Sequence, residues 1–216
     1  MSLKIDLHVH TTYSRDSTIT PRDLLAYTSK RGLDGVALVD HDKVAHPMQI
    51  NKRSDLLVIL GTEVSSAHGH IIGLNVSKEI PPKLDVGDTL DRIHEAEGIA
   101  VASHPMAFFK KSLKQRIDSR FDAIEVINSL AFPFRYSVRW NEKIASRFDI
   151  PRVAGSDAHY GPEIGYAYTL VEADMNVDEV IEALRKGRCT PYGKAVPMTM
   201  RIRKEMALMR RRLQRL

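Results

Sequence analysis

The feature that most constrains this chain is an arrangement that recurs along it. A short apolar run is followed at once by a cluster of histidine and acid residues. Asp6, His8 and His10 close the run at 4–9, and Asp40-His41-Asp42 follow the run at 35–39. Gly61-Thr62-Glu63 follow 56–60, and Ser103-His104-Pro105 follow 99–102. Glu125 and Asn128 end the run at 123–127, and Gly155-Ser156-Asp157-Ala158-His159 follow 152–154. His68-Gly69-His70 opens the run at 70–76, the one departure from the pattern. Runs of this length are strand-sized, and helical patterns fall between most of them. Strand–helix alternation predicts an α/β fold with a mostly parallel sheet, open or closed into a barrel. Such folds carry their working residues just beyond the C-terminal ends of strands, so a closed barrel gathers these clusters at one mouth.

The segments between the runs carry helix signals. Thr20-Pro21-Arg22-Asp23 reads as a start: Thr caps, Pro suits the first turn and Asp favours the positive end. That helix is expected to stop at Gly32. Further helices are expected near 43–53, 86–97, 135–147 and 177–186, with Gly98 and Gly187 as stops. A final strand-like run covers 167–171.

At 216 residues the chain suffices for one domain, or one domain with an appendage. No apolar stretch approaches the roughly 18 residues a membrane span needs, and the N-terminal MSLKIDLHVH lacks the apolar core of a secretory signal. The lone Cys189 has no intramolecular disulfide partner, which suits a reduced, cytoplasmic setting and a free structural thiol.

Charge divides the chain. From Lys194 onward there are eight Lys or Arg and one acid, +7, against −2 for the residues before it. The basic balance therefore belongs to the tail and does not mark the body as a nucleic-acid binder. Within 198–216, Ile202, Met206, Met209, Leu213 and Leu216 form an apolar helical stripe. The expectation is a barrel domain over 1–193 and a basic amphipathic helix over 194–216. That helix is expected to pack on the barrel or on a second copy of it; binding to nucleic acid or an acidic partner is the alternative, and membrane-surface binding the third.

The clusters carry a metal-site chemistry. Side chains at i and i+2 of a strand share a face, so His8 and His10 can grip one ion. Asp157 and His159 present two ligand types in the same way, and the two oxygens of Glu63 can bridge two ions. Each pattern alone fits an ordinary turn, but their joint occurrence at successive strand ends does not. Nitrogen and oxygen donors without thiolate suit Zn, Mn or Fe.

In this order, His8-Val9-His10, Asp40-His41-Asp42, Gly61-Thr62-Glu63, His104-Pro105 and Ser156-Asp157-Ala158-His159 resemble the motifs of the polymerase and histidinol phosphatase (PHP) family. Asp6-Leu7-His8-Val9-His10-Thr11 resembles that family's opening motif, and the resemblance runs from residue 1 to about 193. It implies a distorted (β/α)7-type barrel and a site for two or three divalent ions. One ion would use His8, His10, Glu63 and Asp157. A second would use Glu63, His70 and His104, and a third Asp16, His41 and His159. Asp16 stands where some members carry His. His70 is preferred to His68 because the family's ligand directly precedes an apolar strand. Asp40, Asp42 and Glu125 are expected around the ligands; His46 and His94 lie within expected helices and read as ordinary surface residues.

The activity implied is phosphoester hydrolysis by a metal-activated hydroxide, with Glu63, Asp157 and His159 as the catalytic set. Small phosphomonoesters or phosphodiesters are the expected substrates. Arg135, Lys110, Arg15 and Asn128 are the expected substrate contacts. Only about 33 residues separate His70 from His104, too few for the lid that some relatives insert there. The rival expectations are a nuclease or nucleic-acid end-processing phosphatase, supported by the basic tail, and a non-catalytic metal-bound interaction domain.

Overall fold

The computed structural model describes residues 1–44 and 55–213. The helix expected over 43–53, with His46, falls almost wholly outside the described residues. Among the described residues nine strands form one sheet in the order β7-β6-β5-β4-β3-β2-β1-β8-β9. They are β1 (Ser2–Val9), β2 (Gly35–Leu38), β3 (Leu57–Ser65), β4 (His70–Leu74), β5 (Ile99–Ala102), β6 (Ala123–Asn128), β7 (Arg152–Gly155), β8 (Ala167–Glu172) and β9 (Cys189–Gly193). The helices are α1 (Pro21–Arg31), α2 (Val86–Glu95), α3 (Phe134–Phe148), α4 (Val177–Arg185) and α5 (Met198–Leu213).

The sheet curls until its two sides meet. Just past β7, Ala158 pairs with Val9 of β1: the His10 amide donates to the Ala158 carbonyl at 2.9 Å, and the Ala158 amide to the His8 carbonyl at 3.3 Å. At the opposite end β1 pairs with β8, Ser2–Ile5 against Glu172–Thr169. The result is a nearly closed, distorted α/β barrel whose first and seventh strands join at the mouth. Its interior takes apolar side chains from β1 to β7, among them Leu7, Val39, Ile59, Ile72, Val101, Ala123 and Val153. Val180 and Leu184 of α4 pack into the same cluster. The α2 helix and the end of α3 bury Leu90, Ile93 and Ala145 against the other face of β4, β5 and β6.

One expectation about the sheet is corrected. Pairing is not mostly parallel: β1–β2, β2–β3, β5–β6 and β6–β7 are parallel, whereas β3–β4, β4–β5, β1–β8 and β8–β9 are antiparallel. An apolar run specifies burial and carries no direction; the short 66–69 connection turns β3 back on itself as a hairpin. The exact (β/α)7 count is not confirmed: the described residues form nine strands in one sheet. The ninth strand, Cys-Thr-Pro-Tyr-Gly, is half exposed and lacks an apolar signature.

The helix punctuation is seen in the atoms. Thr20 and Asp23 form a reciprocal capping box at the start of α1, and Gly32 ends it at φ 59°, the left-handed conformation that glycine adopts at no steric cost.

The C-terminal helix packs on the barrel, but not through its apolar stripe. It lies against the barrel with its basic face, while Met198, Ile202, Met206, Met209 and Leu213 are all at least half exposed. The reason lies in the barrel mouth, where loops leave carbonyl groups that no strand satisfies. The Arg201 guanidinium donates to the Leu130 carbonyl at 3.1 Å and the Ser129 carbonyl at 3.3 Å. Arg211 donates to the carbonyls of Thr12 at 2.8 Å and Ser14 at 3.4 Å. Arginine stems and Leu208, which is buried, provide the packing.

Candidate metal centre

The barrel closure brings the strand-end clusters together. His8 and His10 end β1, and Glu63 lies in β3, where His41 pairs with it across the sheet edge. His70 begins β4, His104 follows β5, and Asp157 and His159 follow β7. Register shifts fall in β1 between Asp6 and Val9 and in β6 between Glu125 and Ile127, where the strands deliver His8 and Glu125. Such irregularities re-aim side chains toward one point.

Four donors surround a common centre. His8 Nε2 and His10 Nε2 are 3.0 Å apart. His8 Nε2 is 3.5 Å from Glu63 Oε1 and 3.4 Å from Asp157 Oδ1. His10 Nε2 is 3.4 Å from Glu63 Oε2 and 3.5 Å from Asp157 Oδ1. A tetrahedral ion with ligand bonds of about 2.0–2.1 Å spaces its donors about 3.3 Å apart, so the set has the right dimensions. Glu63 Oε1 also lies 3.1 Å from His104 Nε2 and 3.3 Å from His70 Nδ1. Its Oε2 lies 3.0 Å from His41 Nδ1. Asp16 Oδ2 lies 3.4 Å from His41 Nε2 and 3.3 Å from His159 Nε2.

The surroundings fix which nitrogen of each ring faces the centre. His8 Nδ1 donates to Glu125 Oε1 at 2.9 Å. Ser14 Oγ donates to Asp40 at 2.6 Å, so it accepts from His10 Nδ1 at 3.3 Å. His159 Nδ1 donates to the Asp157 main-chain oxygen at 2.8 Å. In each ring Nε2 is thereby turned inward as a lone-pair donor. Two such nitrogens 3.0 Å apart repel unless a proton or a cation lies between them. Buried atoms without a hydrogen-bond partner make the same demand: His70 Nδ1 and Asp16 Oδ1 are both of this kind. Divalent cations fit this donor set.

The electrostatics follow from dense opposite charge without water. Burial pushes Glu63 up, but the imidazoles of His70 and His8 and hydrogen bonds from His104 and His41 outweigh it and hold its carboxyl well below the usual range. Asp157 is likewise buried and held low, by Lys110 and His8. Burial acts against charge on His8, yet Asp157, Glu125 and Glu63 raise it well above an ordinary imidazole. His10 goes the other way, lowered by burial and by His159. His41 is raised to about 10, burial being overcome by hydrogen bonds with Asp16 and Glu63.

The residues around the ligands differ in part from expectation. Glu125 touches His8, as described. Asp40 reaches an imidazole only through Ser14, and also binds Thr11 through its amide and hydroxyl. Asp42 is corrected: its carboxylate takes the Ser65 amide at 2.6 Å and holds a turn rather than a ligand. Asn128, expected near the substrate or the ligands, sits inside the cluster. It is buried and bridges two acids, donating to Glu125 at 2.9 Å and Asp157 at 3.0 Å. Arg135 is exposed and lines a separate cavity along α3 with Arg139 and Lys143. Arg15 is exposed and does not line the cavity beside the cluster. Lys110 does reach the site, where its ammonium pairs with Asp157. His68 turns away to Asp85 at 3.1 Å and His94 to Asp122 at 2.8 Å.

Sequence reasoning missed Ser14 and Ser103, whose hydroxyls hold His10 and Glu63, the latter at 2.7 Å. A serine beside each ligand motif was the available signal. It also missed Arg201 and Lys204 of α5, which line the cavity at the mouth with Asp16 and His159.

A nearly closed α/β barrel with convergent histidines and carboxylates at its mouth defines the class of a metal-site barrel protein. Comparison with known proteins agrees. A family model described as PHP-associated matches residues 139–189. MJ1587, an uncharacterised protein of Methanocaldococcus jannaschii, is 34% identical over 141 residues, which cover 59% of this chain and 82% of that protein. The chain belongs to the PHP family.

Solved structures share the fold. A two-domain protein of Bacteroides vulgatus containing a predicted PHP-like metal-dependent phosphoesterase superposes with a TM-score of 0.68 at 20% identity. That match covers 90% of this chain and 65% of the other, so this chain spans less than two thirds of it. PfuEndoQ, a lesion-specific endonuclease of Pyrococcus furiosus, superposes with a TM-score of 0.64 at 17% identity, covering 88% of this chain and 58% of the other. Among the described residues no helix is long and apolar enough to cross a membrane.

Proposed function

We propose that this chain is a metal-dependent phosphoesterase that hydrolyses phosphomonoesters or small phosphodiesters. The observation that carries the reading is the position of Glu63. One carboxylate lies within about 3.5 Å of five imidazoles, those of His8, His10, His41, His70 and His104, which is a bridging arrangement. His8, His10, Glu63 and Asp157 would hold one ion, and Glu63, His70 and His104 a second. Asp16, His41 and His159 would hold a third. Zn, Mn and Fe are the candidate metals. When bound, such ions supply Lewis acidity toward a phosphoryl oxygen and toward water.

The chain's own residues supply the rest. Glu63 and Asp157 set the spacing of the ligand sets. Lys110, Arg201 and Lys204 line the cavity beside Asp16 and His159 and draw an anionic substrate to it. The Asp157 carbonyl pins His159 at Nδ1 and leaves Nε2 facing Asp16 at the cavity wall. The functional unit is the barrel of 1–193 with the basic segment of 194–216 that carries α5, and a reduced, cytoplasmic setting suits its single cysteine. Self-association through Met206, Met209 and Leu213 belongs to the same proposal; a monomeric mass at every concentration would remove it.

The test is a panel assay with added Mn, Zn or Mg: a generic phosphoester, nucleoside mono- and bisphosphates, histidinol phosphate and a single-stranded oligonucleotide. Metal bound without turnover on any of them would favour a non-catalytic interaction domain. The nuclease reading has one observation of its own. Arg201 and Arg211 anchor α5 at the mouth, which puts the exposed Arg203 and Arg210 beside the route to the site. It requires oligonucleotide affinity that falls steeply with salt and is lost in a chain ending at Lys194.

A further inference from the structure

A cavity of about 690 Å³ opens beside the metal centre, with Asp16 and His159 on its inner side. Its size suits an organic molecule much larger than a phosphate ion. Three elements supply its exposed apolar lining. The loop after β5 and the turn before α3 bring Phe108, Phe109 and Phe132; α5 brings Met198 and Ile202. All five side chains are substantially exposed. The loop holds Phe109 with its ring 93% exposed and its backbone at φ 61°, a left-handed conformation that bulky residues rarely adopt. Phe109 and Phe132 lie with ring centres 6.2 Å apart and planes tilted by 32°. An apolar, aromatic-lined concavity beside convergent polar groups marks a ligand site, because ordinary surface does not concentrate rings in this way.

Cations sit between this lining and the centre. Lys110 pairs with Asp157, and Arg201 and Lys204 enter from α5. The Lys204 side chain is only 18% exposed, though its partner Glu205 is 70% exposed. The cavity thus combines acid, imidazole, cationic and aromatic side chains in one lining.

We propose that this cavity is the subsite for the alcohol part of the substrate. It selects phosphate esters whose leaving group carries a flat aromatic ring, and α5 is one of its walls. The inference rests on the phosphoesterase reading for the position of the phosphate. A flat ring can lie against Phe109 and Phe132 and meet the thioether of Met198. The outward apolar stripe of α5 thereby acquires a use at its N-terminal end that packing on the barrel does not give it.

Binding of two non-hydrolysable probes, phenylphosphonate and methylphosphonate, measured by calorimetry on the full metal-loaded chain, tests the subsite. Phenylphosphonate should bind about tenfold tighter than methylphosphonate. Phe109→Ala and Ile202→Ala should each remove most of that preference, and Phe109→Tyr should keep it. Both positions are exposed, so the variants fold, and circular dichroism checks this. Equal affinity for the two probes, or a preference that survives both alanine variants, overturns the proposal. A phenyl preference that depends on these residues in a protein that hydrolyses no phosphoester supports the subsite and sinks the phosphoesterase reading alone.

Discussion

Gly155 stands against His8 with no room for a methyl group. A Cβ built on Gly155 would lie 2.3 Å from the His8 Cβ and 2.8 Å from Glu125 Oε1. The end of β7 thus presses the first ligand of β1 into place from behind. Gly155→Ala should destabilise the fold by about 1–3 kcal/mol, the usual cost of overpacking a closed core. It should also weaken metal binding by displacing His8. Urea denaturation and a metal titration read the two effects; an unchanged midpoint together with unchanged affinity would show that the contact relaxes freely.

Glu125 orients His8 from the side away from the centre. Its two oxygens take His8 Nδ1, the His104 amide at 2.8 Å and Asn128. Carboxylates that hold ligand imidazoles typically contribute 10–100-fold in metal affinity. Glu125→Ala should lower affinity by roughly that factor, and Glu125→Gln, which keeps an acceptor oxygen, by less. Competition against a chromogenic chelator measures both. Equal losses would show that charge, rather than orientation, is what Glu125 supplies.

Metal removal should be visible in stability. A ligand at a hundred times its dissociation constant stabilises the folded chain by about 2.7 kcal/mol. For a chain of this size that corresponds to roughly 5–10 °C in Tm. Chelator treatment should lower Tm by that order, readdition of Mn or Zn should restore it, and His8→Ala should abolish the response. A Tm indifferent to metal would mean that the cluster holds no ion.

Much of this was legible in the chain. The clusters at the ends of the runs at 4–9, 35–39, 56–60, 99–102 and 152–154 identified the mouth, because strand termini and polar clustering are local properties. Pairing direction was not legible, since the run at 70–76 has the same composition whichever way it lies. Asn128 and Arg135 show a second limit. Both follow a strand-end motif, yet one is turned inward between two acids and the other outward along α3, and only the three-dimensional path decides that. The α5 stripe shows a third. Amphipathicity shows an apolar stripe but not which face packs: Arg201 and Arg211 reach carbonyls at the mouth, and the stripe stays outside.

The last prediction concerns the only thiol. Cys189 lies in β9, half-buried, with its Sγ 3.4 Å from the Arg152 carbonyl. Burial pushes its pKa up to about 11, and the nearby Glu172 carboxylate acts in the same direction. The thiolate is the reactive form, so a raised pKa leaves less of it at any pH below that value. Relative to a thiol at the usual 9.0, two units cost about a hundredfold in thiolate near pH 8. Alkylation of the folded protein by iodoacetamide at pH 8 should therefore run about a hundredfold slower than that of the denatured chain, with a rate still rising tenfold per pH unit up to pH 10. A rate that levels off near pH 8 would reveal an activated cysteine and give this residue a chemical role that its surroundings otherwise deny it.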